Sequence, residues 1–509
     1  MKYIKHFGKS LLRLIDNKQF FYLIAGFLVI QAAWIALSGR YPMAFDEDFH
    51  LGIIRLYAHH ISPFWSHQPA GGDAYGALAR DPSYLYQYLM SFPYRLISVF
   101  TNSQTVQVLI LRAINIALFT WGLFIFKKVL LKTGASLRLV NITCLIFILL
   151  PVVSLLAAQI NYDNLFFPVT GLTLLLAFRF SDELKKKRFN LSLFTSLICL
   201  MLLGSLVKYA FLPIAVIVSG FIIFRLVKTF GISKELIKEI HGGWKKHSVK
   251  LRIIIVAGLL ISLTLFGQRY AVNLIKYHTP TPECDKVLSI KECSAYGPWI
   301  RDYDFKINRI DTEIGTEKGI VTFGADWFYG MWLRIFFTVD GPGTLYQTRG
   351  PLPVPSLSAV VFVAIGIVAV LISFKRLLRQ YEASNIVLLA LLSVIYIVTL
   401  WLDEFKSFLD TRQPVAINGR YLIPILLPII LMMVMSVSII LKNHIRIKVA
   451  TMVVVIFSLF WGGGALTYIL RSNDAWYWHN QIVYDANHAV QHVLGPLTPR
   501  YNQPAEFLK

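Results

Sequence analysis

The sequence predicts an all-α polytopic membrane protein of about eleven transmembrane helices, with interfacial helices in large extracytoplasmic loops. Three observations carry that class. Hydrophobic residues make up 56% of the 509-residue chain and charged residues only 15%, too few to cover several soluble domains. Apolar stretches of about 18 residues or more recur from end to end, the length that crosses a bilayer core as helix. The formal charge of +22 is also unevenly placed. Alternate connecting segments are strongly basic, while the others, although longer, hold more acids than bases. Lys and Arg collect on the cytoplasmic side of membrane helices, so the excess charge faces anionic lipid and does not imply nucleic acid.

The spans fall near 20–38, 104–126, 139–157, 164–180, 191–206, 208–224, 253–270, 356–374, 385–402, 420–441 and 449–470. The basic segments 1–19, 127–138, 181–190, 225–252, 375–384 and 442–448 are then cytoplasmic, which puts the N-terminus inside and the C-terminus outside a cell membrane. Met1 to Asn17 is basic and lacks an A-x-A-like site, so it predicts a retained, interfacial anchor rather than a cleaved signal. The loop 39–103 reads as an amphipathic helix over Phe49–His60, an irregular Pro-, Gly- and His-rich stretch from Ile61 to Arg80, and an aromatic helix over Ser83–Phe100. His59, His60 and His67 in it read as interfacial polar residues. The spans within Leu191–Phe224 are short and predict shallow or tilted helices. The segment 271–355 is polar and turn-rich, ending in an aromatic interfacial run, Asp326–Phe337, and a Gly/Pro-rich breaker, Asp340–Pro355. The chain thus divides into a membrane module 1–270, a loop region 271–355, membrane helices 356–470 and a tail 471–509, with no tandem repeat.

Cys144 and Cys199 lie inside apolar spans and read as small core residues. Cys284 and Cys293 share the outer loop, where a disulfide is possible, although spacing alone does not fix the Cα distance.

The stretch Tyr41–His50 directly follows the first span and places Asp46, Glu47, Asp48 and His50 at the mouth of a membrane helix. Its bland reading is a solvated turn that caps the next helix. The inferred topology brings Asp163, Lys208, Arg269, Arg334 and Arg420 to the same membrane face. That pattern predicts a carboxylate centre with a cationic rim suited to a lipid phosphate. Each cation has a structural alternative. Lys208 and Arg269 can snorkel to headgroups, Arg420 can pair with Asp410 or Glu404, and Arg112, deeper in its span, can have a partner inside the bundle. Asp163 can be a turn-former. Asp46 and Asp48 have the D-x-D spacing that holds a divalent cation, Mg²⁺ or Mn²⁺, beside a phosphate.

These motifs resemble the GT-C superfamily of integral-membrane glycosyltransferases that use polyprenyl-phosphate sugars (PMT/ArnT-like). Phe45-Asp46-Glu47-Asp48-Phe49-His50 matches the superfamily's Asp-Glu and following His after the first span. Arg80–Tyr86 resembles its Pro-x-x-Tyr-Tyr stretch, Leu111-Arg112 its Leu-Arg, and Gly204–Lys208 a Leu-Thr-Lys segment. Gly419-Arg420-Tyr421-Leu422-Ile423-Pro424 and Asn161-Tyr162-Asp163 are similar to motifs of a related bacterial membrane family of unknown function. Val207 stands where Thr is usual, and Asp81 and Ser83 alter the Pro-Pro-x-Tyr run.

The resemblance implies transfer of a sugar from a polyprenyl-phosphate donor to a hydroxyl of a glycan, lipid or protein acceptor outside the membrane. Asp46 would be the general base or acceptor-positioning carboxylate, supported by Glu47 or Asp48. His50, Arg112, Asp163, Lys208, Arg269, Arg334, Arg420 and Tyr421 would bind substrate. Two rivals remain: a lipid or glycan flippase, which would place ionisable residues near the midplane and show paired repeats, and a non-catalytic envelope-assembly protein of the same fold.

Overall fold

The computed structural model describes residues 13–231, 234–308, 320–336, 354–413, 415, 417–472 and 474–494. Most of the Met1–Asn17 tail, most of the breaker Asp340–Pro355 and the last residues of the chain lie outside them. The regular elements among the described residues are all helices. The described residues contain no strand, only an isolated bridge between Gly39 and Tyr477. Nine helices among them are long and apolar enough to cross a membrane, or up to ten if one bent pair counts as a single span. The chain is a polytopic α-helical membrane protein.

The expectation of about eleven spans is corrected in two places. The segment 139–157 is not one straight helix: Leu137–Ile148 and Pro151–Ala157 meet at 74°. The cause is local. Pro151 disfavours helical backbone at the residue before it, and Leu150 is extended, with φ −70° and ψ 127°. Leu191–Val207 is a helix of only 17 residues, shorter than the others. It ends at Lys208, where the backbone opens to φ −155° before Pro213 starts a new helix in its first turn, a position that needs no proline N–H.

Other boundaries moved less. The loop helices run over Glu47–Ala58 and Leu85–Phe100, and the aromatic run lies in Ile320–Phe336. The helix expected to stop at Tyr270 continues through a π-helical stretch, Gly267–Ala271, to Tyr277.

One apolar core runs from Phe21 to Val483 and is filled by Phe119, Phe147 and Phe167 stacked between helices. A smaller cluster of Ile53, Tyr57, Trp65, Leu78 and Tyr84 seats the first loop on Leu206 and Tyr270. Arg95 fastens that loop by donating to the Tyr57 and His60 carbonyls, both at 2.6 Å. The tail also folds back on the chain. Trp478 N–H donates to Ser38 O, Arg40 N–H to Trp476 O, and Trp34 Nε1 to Asn487 Oδ1. These bonds pin both sides of the first helix's exit, which carries the acidic stretch.

Candidate functional site

The exit from the first helix enters Glu47–Ala58 through two consecutive residues in left-handed backbone, Phe45 at φ 61° and Asp46 at φ 63°. Aspartate tolerates that region but phenylalanine does not, so the surroundings must hold Phe45 there. Asn161 Nδ2 and Arg420 Nη1 both donate to the Phe45 carbonyl, each at 2.7 Å. Asp46 precedes the helix but its side chain makes no capping hydrogen bond. It turns instead to Arg420, whose Nη2 donates to Oδ2 at 2.6 Å.

From Arg420 the charges continue as a chain. Its Nε lies 3.9 Å from Asp163 Oδ2, and Asp163 Oδ1 accepts from Lys208 Nζ at 2.7 Å. Lys208 sits against the rings of Tyr162 and Tyr421, 4.5 and 4.6 Å from their centroids, a cation–π arrangement strengthened by desolvation. Asp163, Lys208 and Arg420 are buried, whereas the Asp46 side chain keeps 59% of its surface open. Burial pushes the Asp46 carboxyl upward, but Arg420, by charge and hydrogen bond, and Lys208 by charge pull it below the ordinary aspartate value. Four sequence-distant segments thus converge on one open carboxylate flanked by two buried cations.

Glu47, next in sequence, has the opposite environment. Arg112 forks onto it, Nε to Oε1 at 2.8 Å and Nη2 to Oε2 at 2.7 Å, with both side chains fully buried. The backbone N–H groups of Met43 and Ile160 complete the carboxylate. Arg112 Nη1 donates to the carbonyls of Ala36 and Gly39 and so closes the end of the first helix. Such a saturated pair leaves no lone pair for a substrate. Glu47 and Arg112 hold the turn: Arg112 has the partner inside the bundle that its depth allowed, and Glu47 supports Asp46 only by fixing the backbone beside it.

The remaining residues separate in the same manner. His50 is buried, its Nδ1 3.2 Å from the Gln87 amide and its ring 4.6 Å from that of Tyr162. With the Gln87 amide turned so that its nitrogen donates to Ser83 O and Tyr84 O, Nδ1 is the donor and Nε2 is an acceptor with no partner among the described residues. Burial holds this imidazole neutral, lowering its pKa to about 3 against a partial opposing pull from Asp46. Arg269 does not join the Asp46 group. It is buried, donates to Ala79 O and to Pro63 O, and lies over Tyr84, so it fastens the first loop. Neither it nor Lys208 snorkels. Arg334 reaches Gly330 O and the field of Glu404, and Arg420 bonds to Asp46 rather than to Asp410 or Glu404. Asp48 is exposed and makes no hydrogen bond or ion pair among the described residues.

No protein-family model matches this chain, and no curated protein or solved structure matches it either. Its functional reading rests on its own geometry.

No three His, Cys, Asp or Glu residues among the described ones are grouped to hold a metal ion. Arg420 already occupies one Asp46 oxygen, and its charge opposes a cation there, so Asp46 and Asp48 do not fit a divalent ion by themselves. Cys284 and Cys293 are bonded to each other, with Cα atoms 5.8 Å apart.

Sequence reasoning missed Asn115 and Asn164, whose buried amides knit the site's floor. Asn115 Oδ1 accepts from Tyr86 Oη and Asn164 Nδ2. The signal was present: polar amides within apolar helices are costly unless paired. Beside the site, an apolar cavity of about 1130 Å³ is lined by Met331, Ile335, Leu422 and Leu426 at one end and by Ser438 and Lys448 at the other.

Proposed function

We propose that the protein transfers a sugar from a polyprenyl-phosphate donor to an acceptor hydroxyl at the extracytoplasmic face, as a GT-C-like glycosyltransferase. The observation that carries this reading is the ladder Asp46–Arg420–Asp163–Lys208. It offers a carboxylate open to solvent, and two buried cations whose counter-ions leave them beside one another. Arg and Lys bind phosphate through charge-assisted hydrogen bonds. The adjoining apolar cavity runs along the helix that follows Arg420, from Leu422 to Ser438, and gives a hydrocarbon tail a place next to that headgroup.

In the reaction, the acceptor oxygen attacks the anomeric carbon and forms the glycosidic bond with inversion. The carbon–oxygen bond to phosphate breaks, and the departing phosphate keeps the electron pair under Arg420 and Lys208. The hydroxyl proton passes to Asp46. Arg420 links the two halves. While it bonds Asp46 it weakens that carboxylate as a base, and when a phosphate engages its guanidinium Asp46 regains basicity. Donor binding thereby prepares the base.

The flippase reading loses its main support, because the deep ionisable residue, Arg112, is fully committed to Glu47 and the helix carbonyls. The test is reconstitution in proteoliposomes with radiolabelled polyprenyl-phosphate sugars. Label should appear in an acceptor with the native chain and vanish with Asp46→Asn. Movement of intact donor between leaflets without transfer would support the flippase instead.

A further inference from the structure

We propose that Phe49, Tyr75 and Tyr296 form an aromatic shelf that binds a sugar ring of the acceptor, with Asp81 and Asp46 receiving its hydroxyls. The proposal rests on the transferase reading above and names the acceptor's subsite. The three rings come from three separate segments. Phe49 lies on the helix that begins at Glu47, beside Asp46. Its ring centroid is 5.9 Å from that of Tyr75 and 5.9 Å from that of Tyr296. All three side chains are half-buried, so one side of each remains open.

Two glycines make the shelf possible. A Cβ on Gly52 would collide with the Tyr75 hydroxyl, and one on Gly76 would meet the Tyr296 ring at 3.1 Å. Tyr296 is held from the far side by the disulfide. Two short helices, Cys284–Val287 and Ile290–Cys293, are tied together by the Cys284–Cys293 bond, and Tyr296 N–H donates to the Cys293 carbonyl at 2.9 Å. The Tyr296 hydroxyl makes no hydrogen bond among the described residues.

Two carboxylates lie next to the shelf along the chain: Asp46, before the helix that carries Phe49, and Asp81, shortly after Gly76, which the Tyr296 ring abuts. Asp81 Oδ1 accepts from Ser83 N–H at 2.8 Å, while Oδ2 has no hydrogen-bond partner among the described residues. The Tyr296 phenol is raised chiefly by burial and further by Asp81 and Asp46, against an opposing pull from Arg301. Asp48 is exposed on the turn of helix that carries Phe49. Arg420 and Lys208 draw phosphate to their own side of Asp46, and the open carboxylate oxygens near the rings suit a hydroxyl-rich ligand whose O–H groups donate to them. The electron-rich faces of the rings suit the weakly positive C–H face of a pyranose or furanose. An apolar or anionic ligand satisfies only half of the site.

The test uses the full chain in nanodiscs, with methyl glycosides of glucose, galactose, mannose and arabinose as probes and saturation-transfer NMR as readout. At least one glycoside should receive saturation on its ring C–H protons. Tyr296→Leu should weaken that binding roughly 3- to 10-fold, the equivalent of one aromatic contact. Asp81→Asn should weaken it as well, and Tyr296→Phe should retain it. Thermal unfolding of each variant separates loss of the shelf from loss of the fold. Binding of no glycoside, or equal binding by a folded Tyr296→Leu variant, overturns the proposal. Transfer with an acceptor KM unchanged in Tyr296→Leu removes the shelf and keeps the transferase. Shelf-dependent glycoside binding without transfer from any donor keeps the shelf and removes the transferase.

Discussion

Asp46 and Glu47 are neighbours in sequence and opposites in environment. Glu47 is fully buried and receives four donors, two from Arg112 and two from the backbone. Asp46 keeps most of its side chain open and, among the described residues, has a single ionic partner, Arg420. The left-handed backbone at Asp46 separates them, sending one carboxylate into the bundle and leaving the other at its surface. A cluster of acids at a helix mouth is therefore not one function. The saturated pair fixes the turn, and the half-paired residue remains available for chemistry.

The comparison breaks most visibly at Arg112. Arg112→Met leaves the Glu47 charge buried and uncompensated, which should cost about 3–5 kcal/mol of stability. The loss should appear in thermal unfolding of purified protein, and the Arg112→Met/Glu47→Gln double variant should recover part of it. A stable single variant would show that this pair does not hold the turn. Arg420→Lys keeps the charge but cannot reach the Phe45 carbonyl and Asp46 together. Loss of one charged hydrogen bond should cost about 1.5–3 kcal/mol, read from the same unfolding curves.

A pH series probes the same region through His50. Its folded pKa is lowered to about 3 from an ordinary value of 6.5. Between those values the unfolded chain binds the proton and the folded chain does not, so stability is full above 6.5 and falls as pH drops towards 3. His50→Gln should flatten that slope in acid unfolding measurements. An unchanged slope would place the titration elsewhere. The smallest effect belongs to Asp48, which has no partner among the described residues. Asp48→Asn should alter stability by less than about 0.5 kcal/mol.

The helical class, the positions of the loop helices and the convergence of Asp46, Asp163, Lys208 and Arg420 were legible from apolar length and charge placement. The bend at Leu150-Pro151 was signalled by the proline but hidden within a continuous apolar run. The division of labour between Asp46 and Glu47 was not legible, because it depends on which way a left-handed turn aims two adjacent carboxylates. Arg269 misled for a related reason. A cation at a helix end looks the same in sequence whether it meets a phosphate or, as here, the carbonyls of Pro63 and Ala79. The tail's return onto Ser38 and Arg40 left no pattern, since it is made by backbone hydrogen bonds.

The most direct test of the central claim is the ratio of transfer rates for Asp46→Asn and Asp48→Asn, measured side by side in proteoliposomes with a radiolabelled polyprenyl-phosphate sugar. Asp46→Asn should lose about 10²–10⁴ in rate while staying folded, and Asp48→Asn should match the native chain. Equal rates for the two variants would contradict the assignment of Asp46 as the reacting carboxylate.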